Sequence, residues 1–554
     1  MTKARWFSPR RLAAACVTAT TIAMVAGPLD AQPPNADALA TMTPIKHLVV
    51  IYQENVSFDH YFATYPSATN PPGEPAFHAA GGTPAANTLA AAKLLAANPN
   101  TSDANGGAAA APFRLDRTQA ATADQNHAYT AEEQAYDAGK ADRFPRYTGN
   151  GTPGGVGAFG TAGQVMGYFD GNTVTALWRY AQHFTMSDNA YGDTYGPSTP
   201  GALEVVSGQT NGMLIGATTK QPSTRIAPSY YVNDGQGGYT MINDVDPTFD
   251  VCSKQSDIAM MSGKNIGELL TASGISWGGF MGGFDLTATN ANGTTGCVRS
   301  THSAIVGADI PDYIPHHNWF AYYLATANPG HARPSSIDAI GSTLEADGKT
   351  VDPANHEYDL NDFYAAVKAG NFPAVSYLKM PASQDGHAGY SDPLDEQSGI
   401  VTAVNFIEHQ PDWKNTAIIV LYDDSDGWYD HAAAKPTSAS YDTEADQLDG
   451  AGVCGSGVAP SGVGGKPVNG RCGPGTRIPF IVISPYAKPN AVMHDRISQA
   501  SVPQFIEDNW LHGERLGGGS FDASAGSIMP LFDFTSPART APLFLDPATG
   551  DPLR

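Results

Sequence analysis

The chain has 554 residues, 42% hydrophobic and 15% charged, a globular composition long enough to bury one large core or two. Its formal charge of −23 argues against binding nucleic acid or an anionic membrane through bulk charge. An anionic substrate stays possible if the site brings its own cation. With 59 glycines and 41 prolines, long irregular loops are expected.

The first residues resemble an export signal. Lys3, Arg5, Arg10 and Arg11 form a basic start, Leu12 to Leu29 is apolar with small residues, and Leu29-Asp30-Ala31 offers a cleavage site. Residues 1–31 are therefore expected to be removed, leaving an exported protein of the periplasm or the medium with a formal charge of about −26. The apolar run is thin for a membrane span and no second run follows, so no stable membrane anchor is expected. Arg10-Arg11 matches a twin-arginine signal poorly, and Cys16 lies within the discarded run.

Ile45 to Tyr52 reads as a buried strand. Residues 76–112 are rich in Ala, Pro, Gly and Asn, and read as a mobile insertion. Asn172 to Phe184 has helical spacing, with Leu177, Tyr180, Ala181 and Phe184 on one face. Another helix starts after Pro200. A short helix at Ile266 to Ala272 precedes a strand at Ile275 to Phe280, and Phe372 to Leu378 is a further strand. A helix from Gln397 to His409 feeds a strand at Ala417 to Tyr422. Residues 433–475 form a Gly-rich loop, Arg477 to Pro485 a strand, and Val502 to His512 a helix. Strands alternating with helices predict a layered α/β sheet, and one domain over 32–554 with insertions near 76–112 and 433–475 is the most economical organisation. Beyond the leader, Cys252, Cys297, Cys454 and Cys472 are an even set in an exported chain, which favours two disulfides. Three pairings are possible; the local ones, Cys252–Cys297 and Cys454–Cys472, each bracket a Gly/Asn-rich loop.

Chemistry concentrates where strands end. The run Ile419-Val-Leu-Tyr422 stops in Asp423-Asp424-Ser-Asp426-Gly-Trp-Tyr-Asp430-His431. Adjacent carboxylates repel unless a cation sits among them, and open α/β sheets place ligands at strand C-termini. The bland alternative is a surface Asp/Gly turn. The first strand ends in Glu54-Asn55, hard oxygen donors suited to a divalent cation, or else a loop or cap. Ser198, in Gly196-Pro197-Ser198-Thr-Pro200, precedes a helix whose N-terminal N–H groups attract anions; its other reading is a cap. His127, the pair His316-His317, and His387 in Asp385-Gly-His387 are candidate pocket histidines, each ordinary when taken alone.

Taken together, Glu54-Asn55-x-Ser-Phe-Asp-x-Tyr-Phe, Gly196-Pro-Ser-x-Pro, Asp385-Gly-His387 and Tyr422-Asp423-x-x-x-Gly-x-Tyr-Asp430-His431 resemble, in order, the motifs of the bacterial phosphoesterase family. That family contains phospholipases C and AcpA-type acid phosphatases. The resemblance spans about residues 45 to 510. It implies an alkaline-phosphatase-like core, one divalent metal ion held by Glu54, Asn55, Asp423 and Asp424, and Ser198 as nucleophile. It further implies that His127, His317 (or His316) and His387, with Asn55, line the phosphate pocket. Asp426, Asp430 and His431 are then expected to shape the turn behind the metal. Gly-Pro-Ser-Thr-Pro-Gly and Asp-Asp-Ser-Asp-Gly depart from the phospholipase pattern, and no large β-rich module follows the core. These departures resemble the acid phosphatase branch. The expected activity is therefore hydrolysis of small phosphomonoesters by an acid phosphatase, with histidines favouring acid pH. The alternatives are a phospholipase C and, from another class, a binding protein that holds a metal without turnover.

Overall fold

A computed structural model describes residues 35–215, 226–254 and 257–553. The proposed leader, Cys16 and cleavage site lie outside them. Among the described residues the largest sheet has eight strands: β1 (His47–Gln53), β2 (Thr185–Ser187), β3 (Trp277–Met281), β4 (Glu357–Asp359), β5 (Val375–Lys379), β6 (Thr416–Tyr422), β7 (Phe480–Ile483) and β8 (Ala491–Met493). Their order is β4-β3-β5-β1-β6-β7-β2-β8. The β4-β3-β5-β1-β6 half is parallel, β7 runs antiparallel to both β6 and β2, and β8 is parallel to β2.

The central strands β1 and β6 pair over their full length, His47 with Thr416 through Gln53 with Tyr422, so both end at one level. Every residue of both strands is buried. This is why they read as continuous apolar runs rather than alternating ones: helices cover both faces. Among the described residues the α-helices of seven or more residues are α1 (Tyr129–Tyr136), α2 (Thr175–His183), α3 (Ser198–Ser207), α4 (Ile266–Ala272), α5 (Leu360–Lys368), α6 (Pro393–Glu408) and α7 (Ser501–Trp510). Side chains of opposite parity on β3 mark the two faces. Trp277 packs over Gly267 of α4 and against Phe320, while Phe280 meets Phe363 of α5. Tyr377 of β5 also meets Phe320 and donates to the Val205 carbonyl of α3, which puts α3 and α4 on one face. Phe363 contacts Phe406 of α6 on the other. The layered α/β sheet is as expected.

Element by element, the sequence places most of this within a few residues. The helix after Pro200 begins earlier, at Ser198, and α6 begins at Pro393, where Asp392 accepts from the Leu394 and Asp395 N–H groups. Strands β2, β4 and β8 are three residues each, too short for a periodic signal, and α5 was not distinguished. Also unforeseen is a five-stranded sheet that includes Asn211–Ile215, directly after α3, and Ile258–Met261.

Residues 76–112 hold no long element, yet they are anchored rather than free. Phe77 is buried with its ring 5.1 Å from that of Trp178, and Asn100 Nδ2 donates to the Ala141 carbonyl at 2.8 Å. A few buried side chains within an Ala/Pro/Gly background are enough to pin such a segment. The 433–475 loop is tied by Cys454–Cys472 and by fully buried Arg471, which donates to the carbonyls of Gly208, Ser461 and Gly519. Cys252–Cys297 forms the second disulfide, so both local pairings are realised. No described helix is long and apolar enough to cross a membrane.

Candidate active site

Paired ends of β1 and β6 bring Glu54-Asn55 beside Asp423-Asp424. The Asn55 N–H donates to Asp423 Oδ1 at 2.8 Å, and the Val56 N–H to the Asp424 carbonyl at 2.9 Å. Asn55 takes a left-handed backbone (φ 58°), a turn that asparagine tolerates and that reverses the chain at once after the strand. Ser198, first residue of α3, packs against this cluster from above the strand ends. Its Oγ lies 2.9 Å from Glu54 Oε2, 3.2 Å from Asn55 Oδ1 and 3.4 Å from Asp424 Oδ2. The helix can approach so closely because Gly201 faces Asp423: a Cβ there would stand 2.3 Å from the Asp423 carbonyl oxygen. Pro197, not Ser198, is the N-cap, and the Ser198 hydroxyl points to Glu54, Asn55 and Asp424, so the cap reading fails on geometry.

The donor set suits a divalent cation. Glu54, Asn55, Ser198, Asp423 and Asp424 are all buried. Burial and the neighbouring Asp423 push the Asp424 carboxyl well above its ordinary range. The Asn55 amide has two options. Turned one way, its oxygen joins the carboxylates as an acceptor among acceptors, an arrangement that needs a cation. Turned the other way, its nitrogen donates to Glu54 Oε2 and Asp423, and its oxygen accepts from His387 Nε2 at 2.9 Å. The set therefore fits an oxygen-ligated metal.

Three histidines surround this cluster. The His127 and His387 rings are 5.8 Å apart, and His127 Nε2 lies 3.4 Å from the Asn55 amide nitrogen. His317 Nδ1 is 3.3 Å from Glu54 Oε1. His316 turns away to Asp246 at 3.5 Å, so His317 is the member of the pair brought to the site. Burial opposes a charge on His127, but Asp424 and Asp426 outweigh it and hold its pKa well above the histidine value. Burial drives His387 down to about 4, with His127 adding to the effect. Burial and His316 hold His317 well below the ordinary histidine value.

Four neighbours were not foreseen as site residues. Asp426 was expected only to shape the turn; instead its Oδ1 lies 3.1 Å from His127 Nδ1 while also receiving the Gln125 N–H. Lys379, the last residue of β5, pairs with Glu54 Oε1 in the interior, and burial lowers its pKa to about 8. Asp385 is buried beside both, its pKa raised by burial to about 7 despite Lys379. Glu132 of α1 accepts from the Gly196 N–H and the Ser425 hydroxyl, tying the turn before Ser198 to the turn after Asp424. A charged residue closing an apolar run was the available signal for Lys379. Nothing in the sequence pairs Glu132 with either turn. Asp430 and His431 do lie behind the site, around buried Arg477 and Asp59.

Residues 45–511 match the Phosphoesterase family. Phospholipase C A of Mycobacterium tuberculosis is 25% identical over 526 residues, covering 92% of this chain and 81% of its own length. The non-hemolytic phospholipase C of Burkholderia pseudomallei is 22% identical over 524 residues, covering 91% of this chain and 61% of its own. Murine ectonucleotide pyrophosphatase/phosphodiesterase 5 overlaps 65% of this chain at 12% identity with a TM-score of 0.26, too loose an overlap to argue from.

Proposed function

We propose that this chain, which belongs to the phosphoesterase family, hydrolyses phosphoric esters with Ser198 as nucleophile. The observation that carries this reading is the Ser198 hydroxyl, buried at a helix N-terminus and within 3.4 Å of Glu54, Asn55 and Asp424. One divalent metal ion, held by Glu54, Asn55, Asp423 and Asp424, would offset substrate charge and favour an ionised nucleophile. Ser198 Oγ bonds to phosphorus as the bond to the leaving alcohol breaks, and its proton passes to the surrounding bases. In this reading His127, held by Asp426, protonates the departing oxygen, and His317 and His387 bind the phosphoryl oxygens. Water then attacks the phosphoserine and regenerates the hydroxyl.

The relatives carry the name phospholipase C, which favours phosphodiesters of phospholipids as the substrate class. The acid phosphatase reading rests on Gly196-Pro-Ser-Thr-Pro-Gly and Asp423-Asp-Ser-Asp-Gly, which depart from the phospholipase pattern. The apolar leader and two disulfides support export to an oxidising compartment. A panel of p-nitrophenyl phosphate, p-nitrophenylphosphorylcholine and phosphatidylcholine, with metal content measured on the same sample, tests the assignment. Faster phosphodiester turnover supports the phospholipase reading, and faster phosphomonoester turnover the phosphatase. Bound metal without any turnover returns the chain to the binding-protein class.

A further inference from the structure

The two oxygens of Glu54 face different partners. Oε2 accepts from Ser198 at 2.9 Å, within the proposed metal cage. Oε1 is held by Lys379, with His317 Nδ1 3.3 Å away. His317 also approaches Asp385 Oδ2 at 3.8 Å. Glu54, His317 and Asp385 are all buried, and each offers a ligand atom within 4.8 Å of the others. By chemistry this is a second potential metal triad, sharing Glu54 with the first. Lys379 pairs with the triad through Glu54 Oε1 and feels the charge of Asp385. Its side chain is 2% exposed, and its Nζ lies 5.5 Å from the centre of the Tyr52 ring. Two cations about 3.5–4 Å apart can clamp a phosphoryl group in two-metal sites. An ammonium on a strand end fills the same electrostatic role without an exchangeable ion.

We propose that the Lys379 ammonium is the second cation of this site, occupying the Glu54–His317–Asp385 triad and limiting the chain to one divalent ion. The inference rests on the metal cage proposed above, and metal stoichiometry separates the two. The full chain is stripped with chelator, titrated with manganese or zinc, dialysed and analysed for bound metal. Wild type is expected to saturate at one ion per chain. Lys379→Met, which frees the triad while keeping an unbranched stem, is expected to saturate at two. Lys379→Gln keeps a donor toward Glu54 without the charge and serves if the methionine variant fails to fold; it too should bind a second ion. Lys379→Arg should remain at one. A second ion on wild type, or a single ion on the folded neutral variants, overturns the role given to Lys379. No ion on wild type overturns the cage beneath it. Because His317→Ala in the Lys379→Met background removes a triad ligand, loss of the extra ion there locates it.

Discussion

A serine hydroxyl is a poor nucleophile at its own pKa, and a serine opening a helix is ordinarily a cap. Ser198 departs from both habits because its neighbours are acceptors: Glu54 Oε2 at 2.9 Å and Asp424 Oδ2 at 3.4 Å give its proton a destination away from the helix. Ser198→Ala removes the attacking atom and leaves the packing, so kcat should fall about 10³-fold or more while the melting temperature stays near wild type. Steady-state kinetics beside a thermal melt reads both. A near-native rate would return Ser198 to a structural role. Asp426 makes a related point. It does shape a turn, with a left-handed backbone (φ 52°), yet its carboxylate also orients His127. A turn residue and a site residue can be the same residue, which no single-sequence signal separates.

The elements that carry the site are β1, β6 and α3, and their meeting depends on backbone contact. Gly201 lets α3 lie on the Asp423 carbonyl, which no side chain can move aside. Gly201→Ala should therefore push the helix and Ser198 away from the carboxylates, costing about 1–3 kcal/mol as overpacking and reducing kcat more than it raises KM. Urea titration and steady-state kinetics on the same variant check both effects; an unperturbed kcat would mean the nucleophile does not depend on this contact. The same elements account for what could be read in advance. β1 and β6 are seven-residue strands with apolar interiors, and the donor residues follow them directly, so Glu54, Asn55, Asp423 and Asp424 were legible. Their register, which levels the two ends, is a tertiary fact. Lys379 and Asp385 fell outside the expected site because β5 is set beside β1 by the strand order, not by proximity in sequence. Strands of three residues, such as β2 and β8, give no periodicity at all.

Across the whole molecule, buried ionisable groups set the response to pH. Burial raises Glu357 and Glu396 to about 8, so their stabilising protonated state is lost as pH climbs from the unfolded value of 4.5 through 8. Burial lowers His60 to about 3 and His356 to about 4, so their contribution is present above 6.5 and lost as pH falls toward those values. Between 4.5 and 6.5 the two slopes oppose each other. Burial also raises Glu132, Asp385, Asp392 and Glu408 to about 7, so the carboxyls outnumber the histidines and the melting temperature should fall as pH rises through 6.5 toward 8, with the net charge of −23 adding repulsion on the alkaline side. Differential scanning calorimetry from acid to alkaline pH reads this, and a melting temperature that keeps rising above pH 8 would contradict it.

The proposed chemistry turns on a covalent bond between Ser198 and phosphorus. Rapid mixing with a reactive phosphoester, a millisecond quench into neutral denaturant, and peptide mass mapping look for that bond directly. The expected result is a phosphoryl adduct on Ser198, extended by the retained headgroup when the substrate is a phosphodiester, and absent from Ser198→Ala. Turnover with no adduct on Ser198, or an adduct on His127 or His387 instead, would contradict it.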